Sequence, residues 1–259
     1  MTHQTAAADP DRLQPPGAHL LALEWRAPLE LMASLALWPL LRRGARGDGH
    51  PVIVFPGLAS PDSTTGLLRR FLSERGYAPH RWEQGFNLGP RPGVLDACLQ
   101  HVVDVQRVAR RKVSLIGWSL GGVYARELAK LAPDSVRCVI TLGAPFSGHP
   151  KASNAWRLYE LISGQRAGDQ VNEQLRQPPP VPTTSIYSRS DGVVNWQCSI
   201  QTEGPMAENI EVHASHAGLG VNASALYAIG DRLAQAEGAW RPFERSGVRQ
   251  WIYGRAPRR

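Results

Sequence analysis

The sequence feature that most constrains the fold is an apolar run that leads directly into a G-x-S-x-G turn and then into a helical pattern. Val113–Ile116 has strand character, the turn is Gly117-Trp118-Ser119-Leu120-Gly121, and residues 123–131 have the pattern of a helix. This strand–turn–helix arrangement exposes a serine hydroxyl at a sharp bend, where the glycines admit crowded backbone. We therefore predict that Ser119 is a nucleophile rather than part of an ordinary glycine-serine turn.

A serine hydroxyl needs a base within hydrogen-bond reach and a third group that orients the base. In hydrolases with this turn the chain order is serine, acid, histidine, so only the three histidines after Ser119 qualify. His216 lies in a loop between a short alternating strand and a helix expected over residues 224–234. We predict that His216 is the base, because His213 belongs to the strand and His149 is too near the preceding strand. The alternative is a surface histidine.

The acid is expected in the loop after the previous strand. Residues 184–187 have β-branched and aromatic strand character, and Asp191 follows them at once. Its position between Ser119 and His216 favours a catalytic role, although an aspartate before a glycine is also common in tight turns. Asp134 and Asp169 are weaker candidates.

Attack by a serine on a carbonyl forms a tetrahedral intermediate, and that intermediate needs backbone donors for its developing oxyanion. One is the amide of Leu120, which directly follows the nucleophile. The other is expected after an early strand, where Gly57 permits an unusual backbone path and Leu58 presents its amide. Trp118, inside the turn, is predicted to contact the substrate.

Together these motifs resemble the α/β-hydrolase superfamily, and within it bacterial triacylglycerol lipases and carboxylesterases. The resemblance extends from about Pro51 to Leu233. It rests on the turn around Ser119, the loop 141–148, the acid loop 190–194 and the histidine loop 215–222. It implies a mostly parallel central sheet with helices on both faces and a small cap. It also implies cleavage of carboxylic esters through an acyl-enzyme, with no cofactor. The alternatives are a thioesterase or acyltransferase with the same triad, or a catalytically silent binding protein.

Two departures from that family matter. Many members carry His-Gly before the oxyanion residue, whereas this chain has Pro56-Gly57. The histidine loop lacks the aspartate of the calcium-binding lipases, so we expect no bound metal. The cap, over about 150–182, is expected to hold one helix at 154–163, and its small size favours modest or flexible acyl esters.

The expected organisation is a single hydrolase domain over 51–238 with an extension at each end. Strands are predicted near 52–55, 77–82, 113–117, 136–142, 184–187 and 209–213, and helices near 63–75, 94–110 and 123–131. The extension 1–50 contains an apolar stretch, 20–41, that three charges and two prolines interrupt. We interpret it as an amphipathic helix against the core or the pocket, not as a bilayer span or a signal peptide.

Composition narrows the partners and the compartment. The formal net charge is +7, but no nucleic-acid module accompanies it, so we expect a small-molecule or lipid ester as substrate and no nucleic acid. The tail 239–259 interleaves basic and aromatic residues, which suits a solvated tail that packs a few aromatics onto the domain. The alternative, for either terminus, is a peripheral membrane contact. Cys98, Cys138 and Cys198 suit buried free thiols and a cytoplasmic location, with Cys198 the candidate for reactivity. The sequence leaves the oligomeric state open.

Overall fold

The computed structural model describes residues 13–164, 166 and 173–253. In these ranges six strands form one sheet in the order β2-β1-β3-β4-β5-β6, with every neighbouring pair parallel. The predicted fold class is therefore confirmed. The strands are Pro51–Phe55 (β1), Ala78–His80 (β2), Val113–Trp118 (β3), Val136–Leu142 (β4), Thr183–Tyr187 (β5) and Ala207–Glu211 (β6).

Helices cover both faces of this sheet, and short 3₁₀ segments lie at Leu23–Arg26, Asp62–Thr65, Pro150–Ala152 and Trp196–Ser199. The α-helices of the described ranges are Ala18–Ala22 (α1), Ala27–Leu41 (α2), Gly66–Glu74 (α3), Val94–Ala109 (α4), Leu120–Leu131 (α5), Trp156–Ser163 (α6), Glu173–Arg176 (α7), Ala223–Leu233 (α8) and Arg249–Tyr253 (α9). None of them is long and apolar enough to cross a bilayer.

The core is divided between the two faces because successive strand side chains point to opposite sides. Helices α2, α3 and α8 pack on one face, where Val54, Ile116 and Ile140 are buried. Helices α4 and α5 pack on the other, with Ile53 and Leu115. Burial on both faces explains why β1 is a continuous apolar run rather than an alternating one.

Several boundaries differ from the sequence-based expectation. Helix α5 begins at Leu120 rather than at residue 123, because the bend at Ser119 starts the helix directly and two glycines obscure its first turn. Strand β6 ends at Glu211, so His213 lies outside it and is exposed. The predicted strand began at residue 209, because the polar Glu208 obscured the first two residues of β6. The strand predicted at 77–82 is only Ala78–His80, and the cap holds α7 in addition to α6.

The N-terminal stretch also differs from the amphipathic helix that we expected. It consists of α1, a 3₁₀ segment and α2, with Pro28 in the first turn of α2 and Pro39 inside that helix. Proline fits a first helical turn because the amide there has no intrahelical partner. Trp38 packs inward, edge-on to Phe71, while much of the outer surface is apolar.

The C-terminal residues join the domain rather than leaving it at 238. Phe243 and Tyr253 are buried and meet edge-to-face, with ring centroids 4.7 Å apart. Trp251 remains exposed, and the remainder of the predicted tail, 254–259, lies outside the described residues.

The strand order also locates a crevice. The chain goes from β1 to β2 on one side and then returns to β3 on the other side of β1. Ligands of open α/β sheets bind at such a switch point, beyond the carboxyl ends of the strands. Leu58 follows β1 and Ser119 follows β3, so both lie at this point.

Candidate active site

Ser119 has an unusual backbone conformation, with φ 53° and ψ −124°. Non-glycine residues rarely adopt a positive φ, and such conformations persist only where the surrounding structure enforces them. The amide of Ser119 donates to the carbonyl of Leu142 at 2.8 Å, which fixes the bend against β4. A Cβ on Gly121 would overlap the carbonyl oxygens of Phe55 and Pro56, so that position requires glycine. The bend is therefore held by backbone contacts with both neighbouring strands.

Asp191 and His216 form a direct pair at the carboxyl ends of β5 and β6. His216 Nδ1 lies 2.6 Å from Asp191 Oδ2, and both side chains are buried. The other oxygen, Oδ1, accepts hydrogen bonds from the amides of Val193 at 2.8 Å and Val194 at 2.7 Å. Since all these groups donate to the carboxylate, it is fixed in orientation as an acceptor for the imidazole.

The surroundings raise the pKa of His216 above the ordinary value for histidine. Burial alone would lower this pKa, because it disfavours the charged imidazolium. The negative charge of Asp191, its hydrogen bond to Nδ1 and the charge of Glu24 together outweigh burial. The site therefore stabilises the protonated histidine, which is the form that a general base becomes when it takes a proton.

The histidine loop is attached directly to the serine turn. Trp118 donates from Nε1 to the carbonyl of His216 at 3.0 Å. A Cβ on Gly143, the residue after β4, would lie 3.1 Å from Asp191 Oδ2 and 3.2 Å from His216 Nδ1. The serine turn, β4 and the acid–histidine pair thus meet within one small volume. Among the described residues, no hydrogen bond joins the Ser119 hydroxyl to His216.

A largely apolar cavity of about 110 Å³ opens beside Ser119. It is bounded by the serine turn, by α6 and by α7. Its lining residues are Leu58, Ser119, Leu120, Val123, Pro145, Ser153, Ala155, Trp156, Tyr159, Leu175 and Val194. Trp118, for which we predicted a substrate contact, is not among the residues that line this cavity in the described part of the chain. Its indole faces the histidine loop instead.

Leu58 and Leu120 both border this cavity, and their amides are available as donors. Neither amide has a hydrogen-bond acceptor within the described parts of the chain. The amide of Leu120 is in the first turn of α5, where no intrahelical acceptor exists. A Cβ on Gly57 would lie 3.3 Å from the Cβ of Ser119, so the loop after β1 passes close to the serine.

Asn87 organises that loop, a role that could not be inferred from the sequence. Its side chain donates to the carbonyl of Pro56 at 2.8 Å, and its own carbonyl accepts the amide of Ala59 at 2.7 Å. Ala59 has φ 55°, so these bonds hold a strained turn next to Leu58. Glu24 and Glu30 were also missed: the sequence presents them only as charges within an apolar stretch, whereas the structure brings them to the acid and histidine loops.

The remaining sequence predictions concern metals and thiols. Across the described ranges, no three His, Cys, Asp or Glu side chains group closely enough to hold a metal ion. The three cysteines are free. Cys198 is buried, and burial raises the pKa of its thiol to about 12, which disfavours the thiolate that the expected reactivity would need.

Comparison with known proteins shows which proteins have a similar fold. A family model described as the alpha/beta hydrolase fold matches residues 76–178. Aspergillus fumigatus lipase B is 18% identical, with a TM-score of 0.59 over 80% of this chain and 56% of the lipase. A Bacillus licheniformis lipase in its mature form is 15% identical, with a TM-score of 0.54 over 74% of this chain and 94% of that lipase.

Paleococcus ferrophilus monoacylglycerol lipase is 14% identical, with a TM-score of 0.52 over 74% of this chain and 96% of that lipase. The chain thus spans just over half the length of the Aspergillus lipase. No curated protein sequence matches it. The chain has the α/β-hydrolase fold, and the resemblance to that superfamily is confirmed.

Proposed function

We propose that this chain is a serine hydrolase that cleaves carboxylic esters through an acyl-enzyme on Ser119. The observation that carries the proposal is a strained serine that borders an apolar cavity beside a buried aspartate–histidine pair. Strain of this kind is retained only where the structure enforces it, and it leaves the hydroxyl open to a substrate.

The proposed first half-reaction forms the ester bond to the enzyme. Asp191 holds the Nδ1–H tautomer, so Nε2 of His216 is free to accept the proton of Ser119 as Oγ attacks the carbonyl carbon. The contact between Ser119 and His216 forms when substrate is bound, as is common for catalytic hydrogen bonds. The amides of Leu58 and Leu120 donate to the oxyanion. The C–O bond to the alcohol then breaks, and the alcohol leaves with the proton from Nε2.

The second half-reaction repeats this chemistry with water. His216 takes a proton from water, the hydroxide attacks the acyl carbonyl, and the bond to Ser119 Oγ breaks. The proton returns to Oγ, and the free acid is released. The apolar lining of the cavity favours an acyl chain over a charged group, and the lipase names of the similar structures favour lipid-derived esters.

The proposal is tested by measuring ester hydrolysis by the parent and by Ser119→Ala. The substrates are p-nitrophenyl acetate, butyrate, octanoate and palmitate. We expect turnover by the parent that depends on acyl length and no turnover by the variant above the rate without enzyme. Equal turnover by the two proteins, or none by a folded parent, would overturn it.

Thioesterase and acyltransferase activities remain the alternatives, because the acyl acceptor depends on the pocket and not on the triad. Acyl thioesters as substrates, and a primary alcohol added to the ester assay, distinguish them. A silent binding protein would neither turn over an ester nor react with a fluorophosphonate.

A further inference from the structure

The N-terminal segment 18–30 lies across the outside of both loops that carry the acid and the histidine. Glu24 Oε1 accepts the amides of Gly192 and His216, each at 2.8 Å, and Oε2 accepts the amide of Ala217 at 2.9 Å. One carboxylate therefore joins the acid loop, 190–194, to the histidine loop, 215–222. We infer that Glu24 is a positioning residue that holds these loops in register for catalysis, an inference that rests on the proposed function.

A second set of contacts from the same segment reinforces the first. Glu30 Oε1 accepts the amide of Ser215 at 2.7 Å. Arg26 donates to Glu30 Oε1 at 2.9 Å, and to the carbonyl and hydroxyl oxygens of Ser190 at 2.9 and 2.8 Å. Each loop is thus bonded to this segment through its backbone, and hydrogen bonds to charged groups are stronger than neutral ones.

The loops are shaped to accept the segment closely. A Cβ on Gly192 would overlap the carbonyl of Leu20, and a Cβ on Gly218 would overlap the carboxylate of Glu30. A residue with a side chain at either position would push the segment away. Glycine therefore permits the contact at one position in each loop.

The charge of Glu24 also acts on the imidazole. The charged groups on the elements around His216 are Asp191 from the acid loop, and Glu24, Arg26 and Glu30 from the N-terminal segment, of which Arg26 and Glu30 pair with each other. The carboxylates of Asp191 and Glu24 both favour the imidazolium, against the effect of burial. Removing the charge of Glu24 therefore lowers the pKa of His216.

Glu24→Gln and Glu24→Ala test this role, with Glu237→Gln as a matched control that removes an exposed carboxylate elsewhere. Gln keeps one acceptor oxygen but loses the charge, whereas Ala leaves three amides without their acceptor. In both Glu24 variants we expect the acidic limb of the kcat/KM profile to move to lower pH. In Glu24→Ala we also expect kcat to fall about tenfold to a hundredfold, with KM changing far less.

Hydrogen–deuterium exchange supplies a measurement that does not depend on activity. We expect faster exchange in both loops of Glu24→Ala and parent-like exchange in Glu237→Gln. We call the contacts of Glu24 with the two loops the clamp. If the parent hydrolyses no ester but the loops still exchange faster in Glu24→Ala, the proposed function is wrong and the clamp is supported. If both Glu24 variants keep the parent's pH profile, kcat and exchange, the inference is wrong.

The outer face of the N-terminal segment carries a second, independent observation. From residue 20 to residue 41 the charged residues are Glu24, Arg26 and Glu30, and all three turn inward to the catalytic loops. Trp25 is 87% exposed and Leu29 is 71% exposed. The other exposed large apolar residues of this stretch are Leu21, Leu23, Met32, Leu35, Leu37 and Leu40. Soluble domains rarely leave an apolar surface of this size uncovered.

We propose that this face docks on an anionic lipid surface. Arg43 and Arg46 lie just beyond α2 and are exposed, and the exposed Arg42 pairs with Glu74. Both acids of the segment are engaged by backbone amides on its inner side. The outward charge next to the apolar face is therefore positive. Apolar and tryptophan side chains beside arginine suit the headgroup region of a bilayer with negatively charged lipids.

Co-sedimentation with vesicles tests the surface. The proteins are the parent, a Trp25→Ser/Leu29→Ser/Met32→Ser variant and Trp251→Ser, which removes a similarly exposed tryptophan on α9. With vesicles of phosphatidylcholine and phosphatidylserine, we expect the triple variant to bind at least about tenfold less than the parent. We expect Trp251→Ser to bind like the parent, and all binding to weaken with phosphatidylcholine alone.

Size-exclusion chromatography with light scattering tests whether a second copy of the chain, rather than a lipid surface, covers this face. A parent dimer that the triple change converts to a monomer, together with no vesicle binding, would assign the face to a second copy and overturn the proposal. Equal binding by parent and triple variant would also overturn it.

Discussion

Strand β3 has an aspartate–histidine–serine arrangement at each of its ends. At the amino end, Ser114 Oγ lies 2.8 Å from His50 Nε2, and His50 Nδ1 lies 2.5 Å from Asp48 Oδ1. At the carboxyl end, Ser119 follows the strand, and His216 is paired with Asp191. The complete hydrogen-bonded chain is the one at the amino end.

The two arrangements differ in access and backbone. Ser114 and His50 have no exposed surface. Ser114 is paired with β1 and β4 and has no positive φ, although the register with β4 shifts between Val113 and Ser114. Ser119 has a positive φ and borders a cavity. A hydrogen-bonded serine and histidine therefore do not by themselves make a nucleophile. The difference shows that a strained bend open to substrate is what separates the candidate site from a buried polar cluster.

The largest expected effect comes from removing each serine in turn. Ser119→Ala should lower kcat for p-nitrophenyl butyrate on the order of a millionfold, as loss of the nucleophile does in other serine hydrolases. Ser114→Ala should keep the parent's kcat, but it leaves Nε2 of His50 without a partner and should lower the free energy of unfolding by about 1–3 kcal/mol. Kinetics and urea unfolding of both variants measure the contrast. Comparable losses of activity in Ser119→Ala and Ser114→Ala would contradict the distinction between the candidate site and the buried polar cluster.

Asp191→Asn should have the next largest effect. The substitution keeps the shape but no longer favours the tautomer and charge that His216 needs, so we expect kcat to fall on the order of ten-thousandfold. The assay is steady-state hydrolysis near pH 8, with circular dichroism to establish folding. A folded Asp191→Asn protein with near-parental kcat would exclude Asp191 as the orienting acid.

Gly121→Ala tests the claim that the bend depends on close backbone contact. The added methyl must displace the carbonyl of Phe55 or Pro56, so we expect a loss of about 1–3 kcal/mol in stability and a loss of turnover. Gly204→Ala is the matched control, because nothing lies within 4 Å of its Cβ position. Thermal unfolding of both variants should separate them. A Gly121→Ala protein as stable and active as Gly204→Ala would show that the bend tolerates a side chain.

His216 and His50 should have opposite effects on the pH dependence of stability, and both effects should be smaller than those of the substitutions above. The folded pKa of His216 is raised, so its contribution is present below about pH 6.5 and is lost as the pH rises through the folded value. Burial lowers the folded pKa of His50, and the charges of Arg137 and Arg111 add to this effect against the hydrogen bond to Asp48. The contribution of His50 is therefore present above about pH 6.5 and is lost as the pH falls.

Melting temperatures between about pH 5 and pH 9 check this pair of signs. His216→Gln should remove the decline on the alkaline side, and His50→Gln should remove the decline on the acidic side. The acidic limb of kcat/KM in the parent should have its midpoint above the ordinary histidine value of about 6.5. A midpoint below that value would contradict the raised pKa.

The sequence predicted the serine turn well because that information is local. Strand, glycines and helix follow one another around Ser119, and each restricts the backbone of its neighbours. Asp191 and His216 could be predicted because strand ends gather at one edge of a parallel sheet. His50 was excluded as the base only because it precedes Ser119 in the chain, and no sequence pattern indicated its bond to Ser114.

The clamp could not be predicted, because its contacts join residues far apart in the chain. Glu24 bonds to Gly192, 168 residues away, and to Ala217, 193 residues away. A carboxylate that accepts backbone amides leaves no pattern of complementary side chains in either segment. Asn87 was missed for the same reason, since its partners in the loop after β1 are carbonyl and amide groups that every residue carries.

The most direct test of the central claim is to trap the acyl-enzyme analogue and identify the modified atom. The parent, Ser114→Ala and Ser119→Ala proteins would be treated with a fluorophosphonate and mapped by peptide mass spectrometry. We expect one adduct, on Ser119, in the parent and in Ser114→Ala, and none in Ser119→Ala. Equal labelling of Ser119→Ala, or an adduct on another residue of the parent, would contradict the assignment of Ser119 as the nucleophile.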